Sequence, residues 1–293
     1  MKIQVTANSI YEIGHRSNQE DSLYPSIGVS PSNGDLYILC DGMGGHAAGE
    51  VASQAVCSAM SEFLLSYRNE EDRFDQEDFS VALDHAYEAL DENDTGDENK
   101  MGTTLVFARF HSDGCFVAHI GDSRVYHIRP SSKQVLYVSK DHSLVNDLVS
   151  LGELTPEQAK TSPQKNIITR ALQPHQDYRA KADFKNLTDL KPGDYIYMCS
   201  DGMLENMDDK EIVNVLSLRE SDTHKIELLR EKTKDNRDNH SAHLIRIVSV
   251  DNPVRRRHYW WIAFIIAFLA ILISFIVVHY VLHPRNPLFR VIN

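Results

Sequence analysis

The chain has 293 residues, a length that one domain of about 250 residues and a short C-terminal addition account for. Residues 1–250 hold 41 acidic and 25 basic residues, a net charge of −16, so this part repels nucleic-acid phosphates and excludes a nucleic-acid partner. The four cysteines show no Cys-x-x-Cys spacing, which predicts reduced core thiols, and the fourteen histidines show no His-Glu-x-x-His spacing typical of a zinc enzyme.

Predicted strands and helices follow one another in groups along residues 1–250. The predicted strands lie at 3–7, 35–41, 103–110, 115–120, 124–129, 135–139, 178–185, 195–200 and 243–248. The predicted helices lie at 47–66, 76–92, 208–218 and 222–234, the first from apolar residues spaced i, i+1, i+4 and i+5. Because strands come in consecutive groups separated by helix pairs, the order favours the α+β class over a doubly wound parallel sheet.

Acidic residues recur at the ends of these predicted strands. Asp41 closes an apolar run, and the glycines that follow allow close backbone approach, so a carbonyl as well as a carboxylate could reach a cation. A single Asp-Gly pair is also common in ordinary turns. Asp122 and Asp201 follow further strands, and Asp238 precedes the last one. Carboxylates that converge repel one another, and divalent cations compensate that repulsion; ligands that are all oxygen favour Mg²⁺ or Mn²⁺ over Zn²⁺.

Five short motifs occur in one order. They are Arg-x-x-x-Glu-Asp at 16–21, Asp-Gly-x-Gly-Gly at 41–45, Gly-Asp-Ser-Arg at 121–124, Ser-Asp-Gly at 200–202 and Asp-Asn-x-Ser at 238–241. In this order they resemble the protein phosphatase 2C family of metal-dependent Ser/Thr protein phosphatases, and residues 41–50 are similar to its bacterial branch. The resemblance covers about residues 1–250. It implies two antiparallel β-sheets packed as a sandwich, flanked by helix pairs on both outer faces.

The resemblance also implies a role for each acidic residue. Asp41 would bridge two Mn²⁺ or Mg²⁺ ions, and the hydroxide that they share would attack phosphorus directly. The remaining implied ligands are Asp201 and Asp238 on one ion and Glu20 and the Gly42 carbonyl on the other. Asp122, with Asp201, matches the position of a more weakly bound third ion.

Three further residues have implied roles next to the ions. Arg16 would bind two phosphate oxygens, Asp21 would orient metal-bound water, and Asn239 would support the ligands. Alternatives remain for two of the site residues. Arg16 is also suited to a structural salt bridge with Glu20 or Asp21, and Asp122 to an ordinary Gly-Asp-Ser turn.

Met43 departs from the eukaryotic branch of the family, in which a histidine at this place is taken to protonate the leaving alkoxide. Methionine has no proton to donate, so another acid or a metal-bound water must do so. His46 is a candidate for this role. We therefore expect turnover of phosphoserine to depend on acid more weakly than in relatives that carry the histidine.

The substrate is predicted only as a class. The expected partners are phosphorylated proteins, including substrates of Ser/Thr kinases or the kinase itself. The polar segment 142–173 contains one short predicted helix and matches the flap beside the site in bacterial relatives, where loops carry specificity. Two other functions stay open: a catalytically weak scaffold that binds phosphoproteins, and a phosphoesterase acting on small metabolites.

The C-terminal part predicts a membrane anchor. From Tyr259 to Leu282, 24 residues pass without Asp, Glu, Lys or Arg, more than the roughly 20 that cross a bilayer as a helix. A buried core helix is the alternative. Three arginines at 255–257 precede the run, against Arg285 and Arg290 after it, and no signal peptide is evident. We expect a cytoplasmic phosphatase domain (1–250), a basic linker (251–258), a transmembrane helix (259–282) and a short tail (283–293).

Overall fold

The computed structural model describes residues 2–29, 34–44, 47–67, 72–94, 96, 101–251 and 265–278. The chain divides into two compact units, Met1–Val250 and Asp251–Asn293. The first sheet has the strand order β1 (Lys2–Glu12), β11 (His240–Asp251), β10 (Tyr195–Cys199), β7 (Arg124–Arg129) and β8 (Gln134–Val138). The second has the order β2 (Asp21–Tyr24), β3 (Leu36–Met43), β5 (Leu105–His111), β6 (Gly114–Ile120) and β9 (Asp183–Leu187), and β4 (Gly102–Thr103) pairs with β3.

The two sheets pack face to face over an apolar core. Leu39 and Val117 of the second sheet meet Ile196 and Ile245 of the first in one buried cluster. Because alternate side chains of a strand point to opposite faces, each sheet also has an outer apolar face that helices cover. Truncating a core residue such as Leu39 to alanine would cost about 2–5 kcal/mol.

Helix pairs cover both outer faces, so the domain has four layers. The helices are α1 (Ala47–Ser66), α2 (Gln76–Asn93), α3 (Leu144–Ser150), α4 (Pro156–Thr161), α5 (Asp209–Leu216) and α6 (Asp222–Thr233). The pair α1 and α2 packs on the second sheet, and the pair α5 and α6 packs on the first. Asp75 and Asp208 cap the starts of α2 and α5 through reciprocal capping boxes, each worth about 1 kcal/mol.

The predicted α+β sandwich with flanking helices is confirmed, with local differences. Strand β2 was not predicted, because four residues are too few to show an alternating pattern. The strand predicted at 178–185 forms only from Asp183, where β9 pairs with β6. The segment 142–173 contains two short helices, α3 and α4, instead of the one expected.

In the second unit, residues 265–278 form a helix with apolar, exposed side chains. Among the described residues, no helix has both the length and the apolar character needed to cross a membrane. The predicted span 259–282 extends at both ends into residues that lie outside those described.

Candidate metal centre

The strand ends bring acidic residues from both sheets to one end of the sandwich. Asp21 and Asp41 are direct partners in the β2–β3 pairing. Asp201 follows β10 and Asp238 precedes β11, and these two strands are antiparallel neighbours. Asp122 lies in the connection between β6 and β7, where the chain passes from the second sheet to the first.

Side-chain contacts join these residues across the two sheets. Ser200 Oγ, beside Asp201, donates to Asp21 Oδ2 at 3.0 Å. The carboxyl of Asp201 also interacts directly with that of Asp41. The structure therefore brings Asp21, Asp41 and Asp201 into one cluster, while their predicted roles toward a metal remain predictions.

Burial and mutual repulsion raise the pKa values of the clustered carboxyls. Burial, together with the charges of Asp201 and Asp238, raises the pKa of Asp21 to about 7, although the hydrogen bond from Ser200 opposes the shift. Burial and the charge of Asp238 raise the pKa of Asp201 to about 6. A buried carboxyl keeps a raised pKa when no nearby positive charge stabilises its ionised form.

Asp41 and Asp122 show the same effect more strongly. The pKa of Asp41 lies well above its ordinary value. Burial is the largest cause, followed by the charges of Asp21, Asp201, Asp122 and Asp238. Burial, followed by the charges of Asp201 and Asp141, raises the pKa of Asp122 to about 8. Asp122 therefore interacts electrostatically with the cluster, while its role toward a third ion stays a prediction.

The cluster fits divalent cations. Asp21 Oδ1 and Asp122 Oδ1 are buried and have no hydrogen-bond partner within the described part of the chain. Such orphaned anionic oxygens are costly unless a cation binds them. The donors are all oxygen atoms, which suits Mg²⁺ or Mn²⁺.

Glycines allow the backbone to approach closely around this cluster. The Gly42 N–H donates to the Glu20 carbonyl at 3.0 Å, and a Cβ on Gly42 would lie 2.1 Å from the Gly49 carbonyl oxygen. A Cβ on Gly202 would lie 2.0 Å from the Asn239 carbonyl oxygen. Only glycine fits at these two positions, beside the predicted ligands.

Asn239 supports the loop that carries Glu20. Its Oδ1 accepts a hydrogen bond from the Glu20 N–H at 2.8 Å. Its Nδ2 donates to the carbonyls of Ile13 and Asn18 at 2.8 and 3.0 Å. The amide therefore holds residues 13–20 against the start of β11, which fixes Glu20 beside the cluster.

Arg16 lies at the solvent-facing edge of the cluster. Its Nη2 donates to Asp238 Oδ2 at 2.7 Å, so its salt bridge is with Asp238, a partner that the sequence did not suggest. The hydrogen bond to Asp238 raises the pKa of Arg16, with smaller contributions from the charges of Glu20 and Asp201. With 55% of its side chain exposed, the guanidinium can reach an incoming phosphate.

Thr104 was missed from the sequence, where it looked like one more residue of a strand. The Asp41 N–H donates to Thr104 Oγ1 at 3.1 Å, and the Thr104 N–H donates to the Asp41 carbonyl at 2.9 Å. Thr104 Oγ1 also lies 2.8 Å from Ser123 Oγ. Thr104 thus joins the Asp41 turn to the Asp122 turn, and only strand register could have revealed it.

A groove with a volume of about 1010 Å³ starts at Met43. Its walls are residues of α2 and the segment 168–184, including Arg170, Arg179 and Lys181. Met43, two residues after Asp41, is therefore part of the groove wall. His46, the candidate acid, lies outside the described residues.

Comparison with known proteins agrees with this geometry. The family model for protein phosphatase 2C matches residues 13–243. The serine/threonine protein phosphatase PstP of Mycobacterium tuberculosis is 35% identical over 205 residues, which are 70% of this chain and 37% of PstP. The chain thus spans little more than a third of that relative. The protein phosphatase PhpP of Streptococcus pneumoniae is 32% identical over 203 residues, 69% of this chain and 80% of PhpP.

Solved structures show the same fold. The serine/threonine phosphatase of S. agalactiae superposes with a TM-score of 0.72 at 29% identity, covering 84% of this chain and all (100%) of that one. The catalytic domain of PstP in complex with two manganese ions superposes with a TM-score of 0.67 at 28% identity, covering 85% of this chain and 100% of that one.

Proposed function

The chain belongs to the protein phosphatase 2C family, and from this premise we propose that it hydrolyses phosphoserine and phosphothreonine in proteins with the help of divalent cations. The observation that carries the proposal is the cluster of buried and half-buried carboxyls at one end of the sandwich. Two bacterial relatives that carry the name protein phosphatase, PstP and PhpP, support it.

The residues that would hold two Mn²⁺ or Mg²⁺ ions are Glu20, Asp41, the Gly42 carbonyl, Asp201 and Asp238, and Asp122 would help to hold a third. The two manganese ions of the PstP catalytic domain support this choice of metal. When bound, such cations activate water for attack on phosphorus and stabilise the negative charge of the transition state.

Arg16 would bind the phosphate itself. Its guanidinium has more donors than the one Nη2 contact to Asp238 uses, so it can hold phosphate oxygens while that contact positions it. A positive charge at this place neutralises the charge that develops in the transition state. Met43 supplies no proton, so the leaving oxygen must take its proton from another source.

The groove beside Met43 favours a polypeptide substrate over a small metabolite. The groove lies between α2 and the segment 168–184, and its exposed Arg170 and Arg179 offer contacts to residues that flank a phosphorylated side chain. Phosphorylated proteins, including Ser/Thr kinases or their substrates, are therefore the proposed partners.

The proposal is tested by hydrolysis of an aryl phosphate with and without Mn²⁺, followed by panels of phosphopeptides and phosphorylated metabolites. We expect Mn²⁺-dependent activity and preference for phosphopeptides. Asp201→Asn should lower activity more than about 100-fold, since partners that only orient a metal ligand already contribute 10–100-fold. The exposed Asp113→Asn is the matched control. If the chain hydrolyses no phosphate ester under saturating Mn²⁺, a phosphoprotein-binding scaffold is favoured. If it prefers phosphorylated metabolites to phosphopeptides, a small-molecule phosphoesterase is favoured.

We also propose that residues 259–282 attach the chain to a membrane, with the phosphatase domain on the cytoplasmic side. The support is the run of 24 residues without a charged side chain and the three arginines that precede it. The full chain should sediment with membranes after an alkaline wash. Leu269→Arg with Ile273→Arg should release it, because each arginine opposes insertion by about 2.5–3.5 kcal/mol. Wild-type chain in the soluble fraction would contradict the proposal.

A further inference from the structure

Two buried histidines stack beside the turn that carries Asp122. The rings of His119 and His142 lie 4.6 Å apart between centroids and 13° from parallel. His119 Nε2 lies 2.8 Å from the Lys140 carbonyl oxygen, so it carries the ring proton and donates it. Neither histidine belongs to the five motifs, so the sequence analysis did not identify them.

The histidines and Asp183 have ligand atoms within 4.8 Å of one another, but they do not form a metal site. A metal must lie in the plane of each imidazole that binds it, and two nearly parallel stacked rings direct their lone pairs along separate planes. In addition, Arg170 Nη1 already lies 3.1 Å from Asp183 Oδ1 and 3.3 Å from His142 Nε2. The guanidinium thus supplies the positive charge at this place.

The hydrogen bonds of His142 fix which ring nitrogen carries its proton. The Gly121 N–H donates to His142 Nδ1 at 3.1 Å, so Nδ1 must present its lone pair. The proton of the neutral ring is therefore on Nε2, which faces Asp183 Oδ2 at 3.3 Å, so the Arg170 Nη1 at 3.3 Å from Nε2 is a close neighbour and not a second hydrogen-bond donor to the ring. His142 Nδ1 therefore accepts from Gly121, and Nε2 interacts with Asp183.

Backbone hydrogen bonds also connect His142 to Gly121 and to Thr169. Its N–H donates to the Gly121 carbonyl at 2.9 Å, so His142 binds both sides of Gly121, the residue before Asp122. Its carbonyl accepts from the Thr169 N–H at 2.8 Å. Asp141 meanwhile accepts two hydrogen bonds from Arg124, at 2.6 and 2.7 Å. Residues 141 and 142 therefore hold the 121–124 turn at both ends.

We infer that His142 is a positioning residue, which aims Asp122 into the carboxylate cluster through Nδ1 and ties that turn to the groove through Nε2, Asp183 and Arg170. This inference rests on the proposed function. Asp183 and Arg170 line the groove, so a polypeptide bound there contacts the same residues that orient His142. Substrate binding and the position of Asp122 are linked through one side chain.

Two substitutions distinguish the role of His142 Nδ1 from that of Nε2. His142→Asn keeps an acceptor near the place of Nδ1 and loses the Nε2 contact, whereas His142→Gln keeps a donor near Nε2 and loses the acceptor for Gly121. The control is His111→Asn, because His111 is equally buried and hydrogen-bonded but lies at the far end of β5 from Thr104. Asp183→Ala removes the Nε2 partner from an exposed position and so avoids a buried replacement.

All variants are made in the full chain and compared by kcat and KM, and by the Mn²⁺ concentration that gives half of the maximal rise in Tm. For His142→Gln we expect kcat to fall about 10–100-fold and the Mn²⁺ requirement to rise about tenfold. For His142→Asn and Asp183→Ala we expect a higher KM for phosphopeptides, and smaller changes in kcat and in the Mn²⁺ requirement than His142→Gln shows.

Equal losses in the Asn and Gln variants, no loss in either, or an equal loss in His111→Asn would overturn the inference. If His142→Gln does not fold, a normal phosphopeptide KM in Asp183→Ala would overturn it. If the wild-type chain hydrolyses no phosphate ester under Mn²⁺, the proposed function fails. In that case the Mn²⁺-dependent Tm of the variants still decides whether His142 positions Asp122.

Discussion

Neutralising Asp122 should stabilise the metal-free protein. Its pKa of about 8 in the fold lies well above the ordinary value of 3.8, so at pH 7 the folded state must hold a proton that the unfolded chain releases. Three pH units at 1.36 kcal/mol each make this cost about 4 kcal/mol. Because Asp201 and Asp141 share the repulsion, Asp122→Asn alone should recover about 1–3 kcal/mol.

The sign of the pH dependence follows from the same shift. Between about pH 4 and pH 8 the folded state binds more protons at Asp122 than the unfolded state does, so this residue lowers stability progressively as pH rises. The advantage of Asp122→Asn should therefore be absent near pH 4 and largest near pH 8. Mn²⁺ should reverse it, because bound cations favour the ionised carboxylates of the wild-type chain.

The assay is urea unfolding of both chains in EDTA at pH 5 and pH 8, repeated with saturating Mn²⁺, with Asp113→Asn as the control for removing an exposed charge. At about 2–4 °C per kcal/mol, the expected gain is also visible as a rise in Tm of several degrees. If Asp122→Asn were less stable than wild type in EDTA at pH 8, the electrostatic account of the cluster would be refuted.

Three further predictions concern residues around the cluster and in the core. Thr104→Val should lower the free energy of unfolding by about 1–3 kcal/mol and lower kcat, because it leaves the Asp41 N–H without its acceptor. Thr155→Val, which makes the same change at the exposed cap of α4, is the comparison for the effect on kcat. Burial lowers the pKa of His243 to about 4, so the unfolded chain binds a proton at this residue more readily than the folded chain does. The free energy of unfolding should therefore fall by up to about 3 kcal/mol as pH drops from about 6.5 towards 4. His243→Leu should remove this part of the acid sensitivity in unfolding experiments. Gly42→Ala should abolish Mn²⁺-dependent activity because the added Cβ meets the Gly49 carbonyl, and normal activity would show that the turn can open.

The sequence revealed those parts of the fold whose pattern is local. Helix α1 was predicted at its observed bounds, Ala47–Ser66, because apolar side chains such as Val56 and Met60 repeat along one face. Strand β2 has four residues and so no readable period, and β9 is placed by its pairing with β6 instead of by its own composition. Short elements that depend on a distant partner are not encoded in the segment itself.

The same distinction applies to the site. Asp41 and Asp201 were identified because each is a charged residue at the end of an apolar strand, a pattern visible in the sequence. Thr104 and His142 were missed because their importance depends on which distant residue they meet: Asp41 for one and Gly121 for the other. Only the register between strands and the path of the loops bring these pairs together.

Carboxylates from two sheets are proposed to hold divalent cations in one site. Anomalous diffraction from crystals grown with Mn²⁺ tests it most directly, because it locates the ions without reference to activity. The account predicts two Mn²⁺ peaks that share Asp41, one of them also bound by Asp201 and Asp238. Crystals in which no Mn²⁺ lies within bonding distance of Asp41 or Asp201 would contradict it.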